Sequence, residues 1–322
     1  MTNSLNRRRF LSTGAAASAA VLLRADGLAA GGENAETAPR KFYTVLSLGR
    51  IGFQARFPES LRLAAQYGFE GLDPDPTYFA SLNDDDFKRL AEELRARNLK
   101  FGAAGLPVDF RQDEATFSEG LKKLPATAQI LRRAGVGRTS TWVSCCSNEL
   151  TYLQNFRQHA CRLRQCAEIL ADQGLKLGLE YVAPRTLWRS QRHPFVHTLS
   201  EMQELVVAIG AHNVGVQLDS WHWFNAEEGG TDLLTLRGSD VVTVDLNDAP
   251  RGLSLDHYQD DHRELPAATG VIPLAVFLRS LVAIGYDGPV QAEPFNATLQ
   301  AMPIEQACTA TASAMKKALS TV

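Results

Sequence analysis

Four acidic side chains stand at or near the ends of short apolar runs: Glu180 in 175–182, Asp219 closing 214–219, Asp245 in 241–246 and Glu293 in 289–294. Burying a carboxylate is costly unless it is paired, hydrogen-bonded or bound to a metal. Four of them at one place repel one another, and a divalent cation resolves that repulsion. Each acid alone also has a plainer reading, as a helix cap or an ion-pair partner. Asp219 can cap the turn that follows it, and Asp248 the one before Ala-Pro. Glu180 and Glu293 resist that explanation, since both sit in apolar runs and neither directly precedes a helix.

The elements that must position these acids repeat along the chain. Apolar runs at 43–48, 69–73, 99–105, 138–144, 175–182, 214–219, 241–246 and 289–294 alternate with amphipathic stretches at 59–67, 84–98, 115–134, 152–173, 199–209, 274–284 and 304–319. Residues 233–237 make no more than a helical fragment. Runs rich in Val, Leu and Gly are the mark of parallel strands buried on both faces. Asn98, Gly135, Gly174, Gly210 and Gly285 fall where each helix should stop, the place of a left-handed cap. Eight strands alternating with helices predict an α/β fold, a single-domain (β/α)8 TIM barrel over 41–322. An open doubly wound sheet is second choice, because no Gly-rich loop follows the first strand. The connection 247–272 is abnormally long, and loops of that length in compact domains are usually functional.

Composition narrows the class. The 322 residues hold 33 Lys+Arg against 36 Asp+Glu, a formal charge of −3, and 45% are hydrophobic. That balance suits a globular protein and excludes a phosphate-gripping nucleic-acid binder, which needs a basic surplus. Five cysteines in so long a chain form no disulfide framework. Residues 1–30, with Arg7-Arg8-Arg9-Phe10-Leu11 before a short apolar stretch, fit a removable export signal of twin-arginine type, and 31–40 a linker. The expected location is therefore periplasmic or secreted, with no membrane span after signal removal.

The mature chain resembles the xylose-isomerase-like TIM-barrel superfamily, the sugar phosphate isomerase/epimerase group. The resemblance runs from Leu48-Gly-Arg-Ile-Gly through Tyr67-Gly-Phe-Glu-Gly to Gly285-Tyr-Asp-Gly-Pro. It ends at Glu293-Pro-Phe, and its most specific pieces are Leu179-Glu180-Tyr, Leu218-Asp219-Ser-Trp-His222-Trp, Asn247-Asp248-Ala-Pro and Arg263-Glu-Leu-Pro. It implies one divalent metal held by Glu180, Asp219 and Glu293, with a fourth ligand that is His in the family and Asp245 here. Carboxylate in place of imidazole hardens the site toward Mn²⁺, Mg²⁺ or Ca²⁺. Mn²⁺ is the expected cation, ahead of Mg²⁺, Co²⁺ and Zn²⁺. His222 is expected to contact substrate, or to replace Asp245 as fourth ligand.

The resemblance further implies proton transfer next to a carbonyl, with Glu180 and Glu293 as the acid–base pair. Arg263 would reach the substrate, and Trp221 and Trp223 would stack on a sugar or pack the core. The ligand is a small carbohydrate, unphosphorylated because sugar phosphates are scarce outside the cytoplasm. Isomerase or epimerase action leads. A lyase or dehydratase acting by β-elimination, for example on 3-keto-glycosides, and a non-catalytic sugar-binding barrel are the alternatives. Oligomeric state is open, with a homo-oligomer allowed.

Overall fold

The computed structural model describes residues 39–322; the twin-arginine segment lies outside the described residues. The chain winds eight times from strand to helix. Strands β1 (Tyr43–Leu46), β2 (Gly71–Leu72), β3 (Lys100–Phe101), β4 (Ala104–Gly105) and β5 (Arg138–Trp142) are followed by β6 (Cys146–Ser147), β7 (Lys176–Glu180) and β8 (His193–Pro194). Then come β9 (Val214–Asp219), β10 (Val241–Leu246) and β11 (Pro289–Ala292). Nine of these pair in the order β3-β2-β1-β11-β10-β9-β7-β5-β4, every pairing parallel.

The two ends of that order are one strand. β3 pairs with β2 and β4 with β5, while Gly102 and Ala103 between them stay unpaired, so the third barrel strand changes partner halfway and closes the barrel. A side chain at Gly102 would press on Val45 at 3.0 Å, which is why the crossing point carries none. β6 and β8 form a small antiparallel pair above the rim.

Long helices cover the outside, among them Glu114–Ala134, Tyr152–Asp172, Leu199–Ile209 and Ile304–Leu319. All five expected stop positions are left-handed, with φ from 53° at Asn98 to 87° at Gly135. The helical fragment expected at 233–237 lies instead at Gly230–Leu233, ahead of a 3₁₀ turn at Gly238–Asp240. Among the described residues no helix is long and apolar enough to cross a membrane.

The loop between β10 and the helix Leu274–Ala283 has no regular element beyond an antiparallel bridge of Asp248 with Glu264. Asp248 does more than cap a turn. Its carboxylate accepts the backbone N–H groups of Ala249, Thr269, Gly270, Val271 and Ile272 at 2.6–3.1 Å. One buried anion thus ties the far end of the loop to the strand that begins it.

Candidate functional site

Parallel register decides which acids meet. Asp219 and Asp245 are level partners of β9 and β10, and Asp245 is also level with Gln291 on β11. Glu180 ends β7, and Glu293 directly follows β11. All four are buried. Carboxylate oxygens of Glu180, Asp245 and Glu293 lie within 4.8 Å of one another, and Glu180, Asp219 and His222 form a second such group. The structure therefore brings together the whole acidic set that the sequence singled out.

Two guanidiniums stand among the acids. Arg263 Nη1 donates to Asp219 Oδ2 at 2.7 Å and to Glu293 Oε2 at 3.0 Å, while its other donors are fixed by the carbonyl and carboxylate of Asp260. Arg50 Nη1 lies 3.1 Å from Asp245 Oδ2 and also donates to Glu293 Oε1. Arg263, expected to reach the substrate, pairs with Asp260 in its own loop and with the acids, and its side chain borders the cavity.

Amides tie the cluster down. Gln217 Nε2 donates to Glu180 at 3.0 Å and Asp245 at 2.7 Å, Gln291 Nε2 to Asp245 at 2.8 Å, and Asn247 Nδ2 to Asp219 at 2.6 Å. Asp219 also accepts the Trp221 N–H at 2.8 Å, so its capping reading and its place among the acids both hold. Sequence reasoning missed Arg50, Gln217, Gln291 and Asn247. A signal existed for two of them. Gln217 and Gln291 each precede an acid by two residues, and the period of a strand puts such pairs on one face.

Burial and mutual repulsion move the carboxyls upward. Burial, then the charges of Glu293, Asp219 and Asp245, push Glu180 well above the usual range. Burial likewise lifts Asp219 to about 7 against the pull of Arg263, and Asp245 to about 8 against that of Arg50. Raised values of this kind mark carboxyls packed more closely than the two guanidiniums can neutralise, a repulsion that a divalent cation would relieve. The donor set fits such a cation.

His222 is placed differently from the acids. Its Nδ1 accepts the Ala183 backbone N–H at 3.3 Å, which leaves Nε2 to carry the proton of the neutral ring, 3.7 Å from Asp219 Oδ2. Burial lowers its pKa to about 4, so the neutral ring is the working form. In that tautomer Nε2 is a hydrogen-bond donor; His222 also lines the cavity and belongs to the compact group with Glu180 and Asp219.

That cavity, about 420 Å³, is bounded by Trp142, Glu180, His222, Arg263, Glu293 and Phe295 among others. Phe295 holds a left-handed backbone with φ of 37°, a conformation costly for an aromatic residue, and its ring packs on the Arg263 guanidinium at 4.6 Å. The tryptophan expectation is corrected. Trp221 and Trp223 are fully buried and border no part of the cavity. Trp221 packs on Tyr258, and Trp223 packs on Phe277 with its Nε1 donating to Gly229. The aromatic at the mouth is Trp142, 48% exposed. The basic loop of Arg185 and Arg189 is neutralised by Glu227 and Asp256. All five cysteines are free.

Known proteins agree with this architecture. The chain belongs to the xylose isomerase-like TIM barrel family, whose pattern matches residues 61–318. A xylose isomerase domain protein of Alicyclobacillus acidocaldarius is 30% identical, superposes with a TM-score of 0.75, and is matched over 87% of this chain and 98% of its own. A 3-dehydroshikimate dehydratase of Pseudomonas aeruginosa is 28% identical over 265 residues, 80% of this chain. The match spans only 39% of that longer enzyme. An inosose isomerase of Bacillus velezensis is 25% identical over 252 residues, 74% of this chain and 83% of its own.

Proposed function

We propose that this barrel moves a proton alpha to a carbonyl of an unphosphorylated sugar or keto-sugar, as a metal-dependent isomerase or epimerase. The observation that carries the reading is the pair Glu180 and Glu293, whose carboxyl oxygens approach within 4.8 Å and which border one cavity. Glu180, Asp219, Asp245 and Glu293 would hold the divalent cation, Mn²⁺ first. Bound there, such a cation supplies a Lewis acid that polarises a carbonyl.

The chain's own groups do the rest. One glutamate takes the proton from the carbon beside the carbonyl as the electron pair shifts toward oxygen. The other glutamate gives a proton back, to the neighbouring carbon for isomerisation or to the opposite face of the same carbon for epimerisation. His222, with its proton on Nε2, offers a hydrogen bond to a substrate oxygen. Arg263 and Phe295 form the wall opposite. The second reading is a lyase or dehydratase. It begins with the same proton removal, and the named activity of the Pseudomonas relative favours it.

Incubation in D₂O with unphosphorylated ketoses and with 3-keto-glycosides tests both. Deuterium in a rearranged sugar supports the isomerase or epimerase, and an unsaturated product or released alcohol supports the lyase. No exchange with either, in protein carrying its metal, overturns the proton-transfer reading and leaves a sugar-binding barrel. Export by the twin-arginine route belongs to the same proposal. Replacing Arg7 and Arg8 by Lys should retain the protein in the cytoplasm, and undisturbed export would refute it.

A further inference from the structure

A second cavity opens on the same barrel mouth, also about 420 Å³, on the side of β1 to β5. It shares Trp142, Glu180 and Glu293 with the first as a common wall. Either volume alone lies within the roughly 300–1,000 Å³ of a small-molecule site. The two glutamates thus face both cavities instead of closing the end of one.

We propose that the second chamber is a subsite for an uncharged, hydroxyl-rich ring, so that the substrate is a two-part glycoside with its reacting carbon between Glu180 and Glu293. The proposal rests on the reading of those residues as the acid–base pair. Its chemistry comes from what faces the chamber. Arg50 spends Nη1 on Asp245 and Glu293, and its Nη2 has no protein partner among the described residues. Arg111 is held by Asp109 through Nε at 3.1 Å and by Thr141 and the Trp142 carbonyl through Nη1 at 3.2 and 2.7 Å. Its Nη2 is likewise without a protein partner among the described residues. The Arg111 guanidinium lies flat against Phe110 and Trp142, 4.7 and 4.1 Å from the ring centres, so that donor is preset.

Acceptors and an apolar face complete the chamber. Asp73 accepts a hydrogen bond from the Ser47 hydroxyl, and Ser47, Asp73 and Ser140 all line the chamber. Trp142 is 48% exposed, and the ring face not covered by Arg111 is a surface on which the C–H face of a sugar can rest. Charge rules out the obvious rival, an anion. Arg111 is answered by Asp109, Arg50 by Asp245 and Glu293, and Asp73 adds another carboxylate. No positive charge is left over for a phosphate or carboxylate. Preset donors, acceptors and an aromatic face without surplus charge select hydroxyls.

Calorimetric titration of glucose, cellobiose, maltose and trehalose into the mature protein, with Arg111→Met and Gln191→Ala variants, tests this. Arg111 borders only the second chamber and Gln191 only the first. At least one disaccharide should bind tenfold or more tighter than glucose. Arg111→Met should erase that margin and leave glucose within about twofold, while Gln191→Ala should weaken both sugars. Thermal melting checks that each variant is folded, and Ser140→Ala replaces Arg111→Met if the latter is not. Disaccharides no tighter than glucose, or equal loss of both sugars on altering the second chamber, would overturn the subsite. Deuterium exchange into a substrate without any disaccharide margin removes the subsite and spares the acid–base pair. A margin with no exchange removes the placement of the reacting carbon.

Discussion

The two halves of the barrel mouth are built by different means. Strands β7, β9, β10 and β11 run for four to six residues, and their register sets Asp219 level with Asp245 and both beside Glu180 and Glu293. From β1 to β4 the paired stretches are two to four residues long, and the charged groups Arg50 and Arg111 arrive on loops at the ends of long side chains. Backbone ladders fix a carboxylate to within the tolerance that proton transfer demands. Long side chains on loops adapt to shape. That difference is what the proposed division of labour requires, one half framed by rigid ladders for proton transfer and the other given long side chains for holding a ring.

The largest effect should come from neutralising the framed half at its pair. Glu180→Gln or Glu293→Gln should lower kcat about 10²–10⁴-fold or more, as loss of general acid–base assistance does. A fall below tenfold would break the distinction between the halves. Arg263→Met comes next, since it strips the shared donor from two buried carboxylates. Denaturant unfolding should show a loss of about 3–5 kcal/mol, the usual consequence of breaking a buried pair. A variant as stable as the wild type would mean that the acids need no guanidinium.

Metal content provides the third test. Asp245→Asn should lower the affinity for Mn²⁺ at least tenfold by elemental analysis of dialysed protein, while His222→Ala should keep the metal. The reverse pattern would exchange their roles.

The fourth concerns the layer behind β7. Glu228 accepts the Tyr181 hydroxyl at 2.6 Å and the Leu199 N–H at 2.6 Å, and burial pushes its pKa from 4.5 to about 7. The folded chain therefore binds this proton more tightly than the unfolded chain, so wild-type stability should fall as pH rises from 4.5 to 7. In Glu228→Gln that contribution vanishes, and the gap between the two proteins should open by about 1–3 kcal/mol across this window. A pH-independent gap would refute it. The smallest effect belongs to the recognition half. Asp73 is a half-buried carboxyl whose pKa is raised by desolvation, so Asp73→Asn should change stability by less than about 1 kcal/mol. A loss as large as that of Arg263→Met would erase the contrast.

Sequence made the framed half legible and the other half nearly invisible. The helices Leu199–Ile209 and Ile304–Leu319 lie where periodicity placed them, because local spacing and a following cap determine helix ends. Acids in apolar runs were readable because burial makes them anomalous. The third strand hid its break, since a change of pairing partner leaves no local trace beyond a glycine. Arg50 meets Glu293 across 243 residues, and no spacing rule reaches that far. Trp221 and Trp223 misled for a related reason. A tryptophan beside a site residue packs the core as readily as it stacks on a ligand, and only the direction of the side chain decides.

The Asp248 clasp has a consequence for how such a barrel can diversify. Because four amides, Thr269 to Ile272, secure the return of the loop and the bridge to Glu264 secures its middle, residues 251–257 run between fixed points, with Arg251 on the Thr269 carbonyl and Asp256 on Arg185 and Arg189 as their outer ties. All but the half-buried Leu255 are exposed. Lengthening this tip adds only the slowly growing entropy of a longer closed loop. A change of length in the tip is thus expected to leave the buried acids in their places.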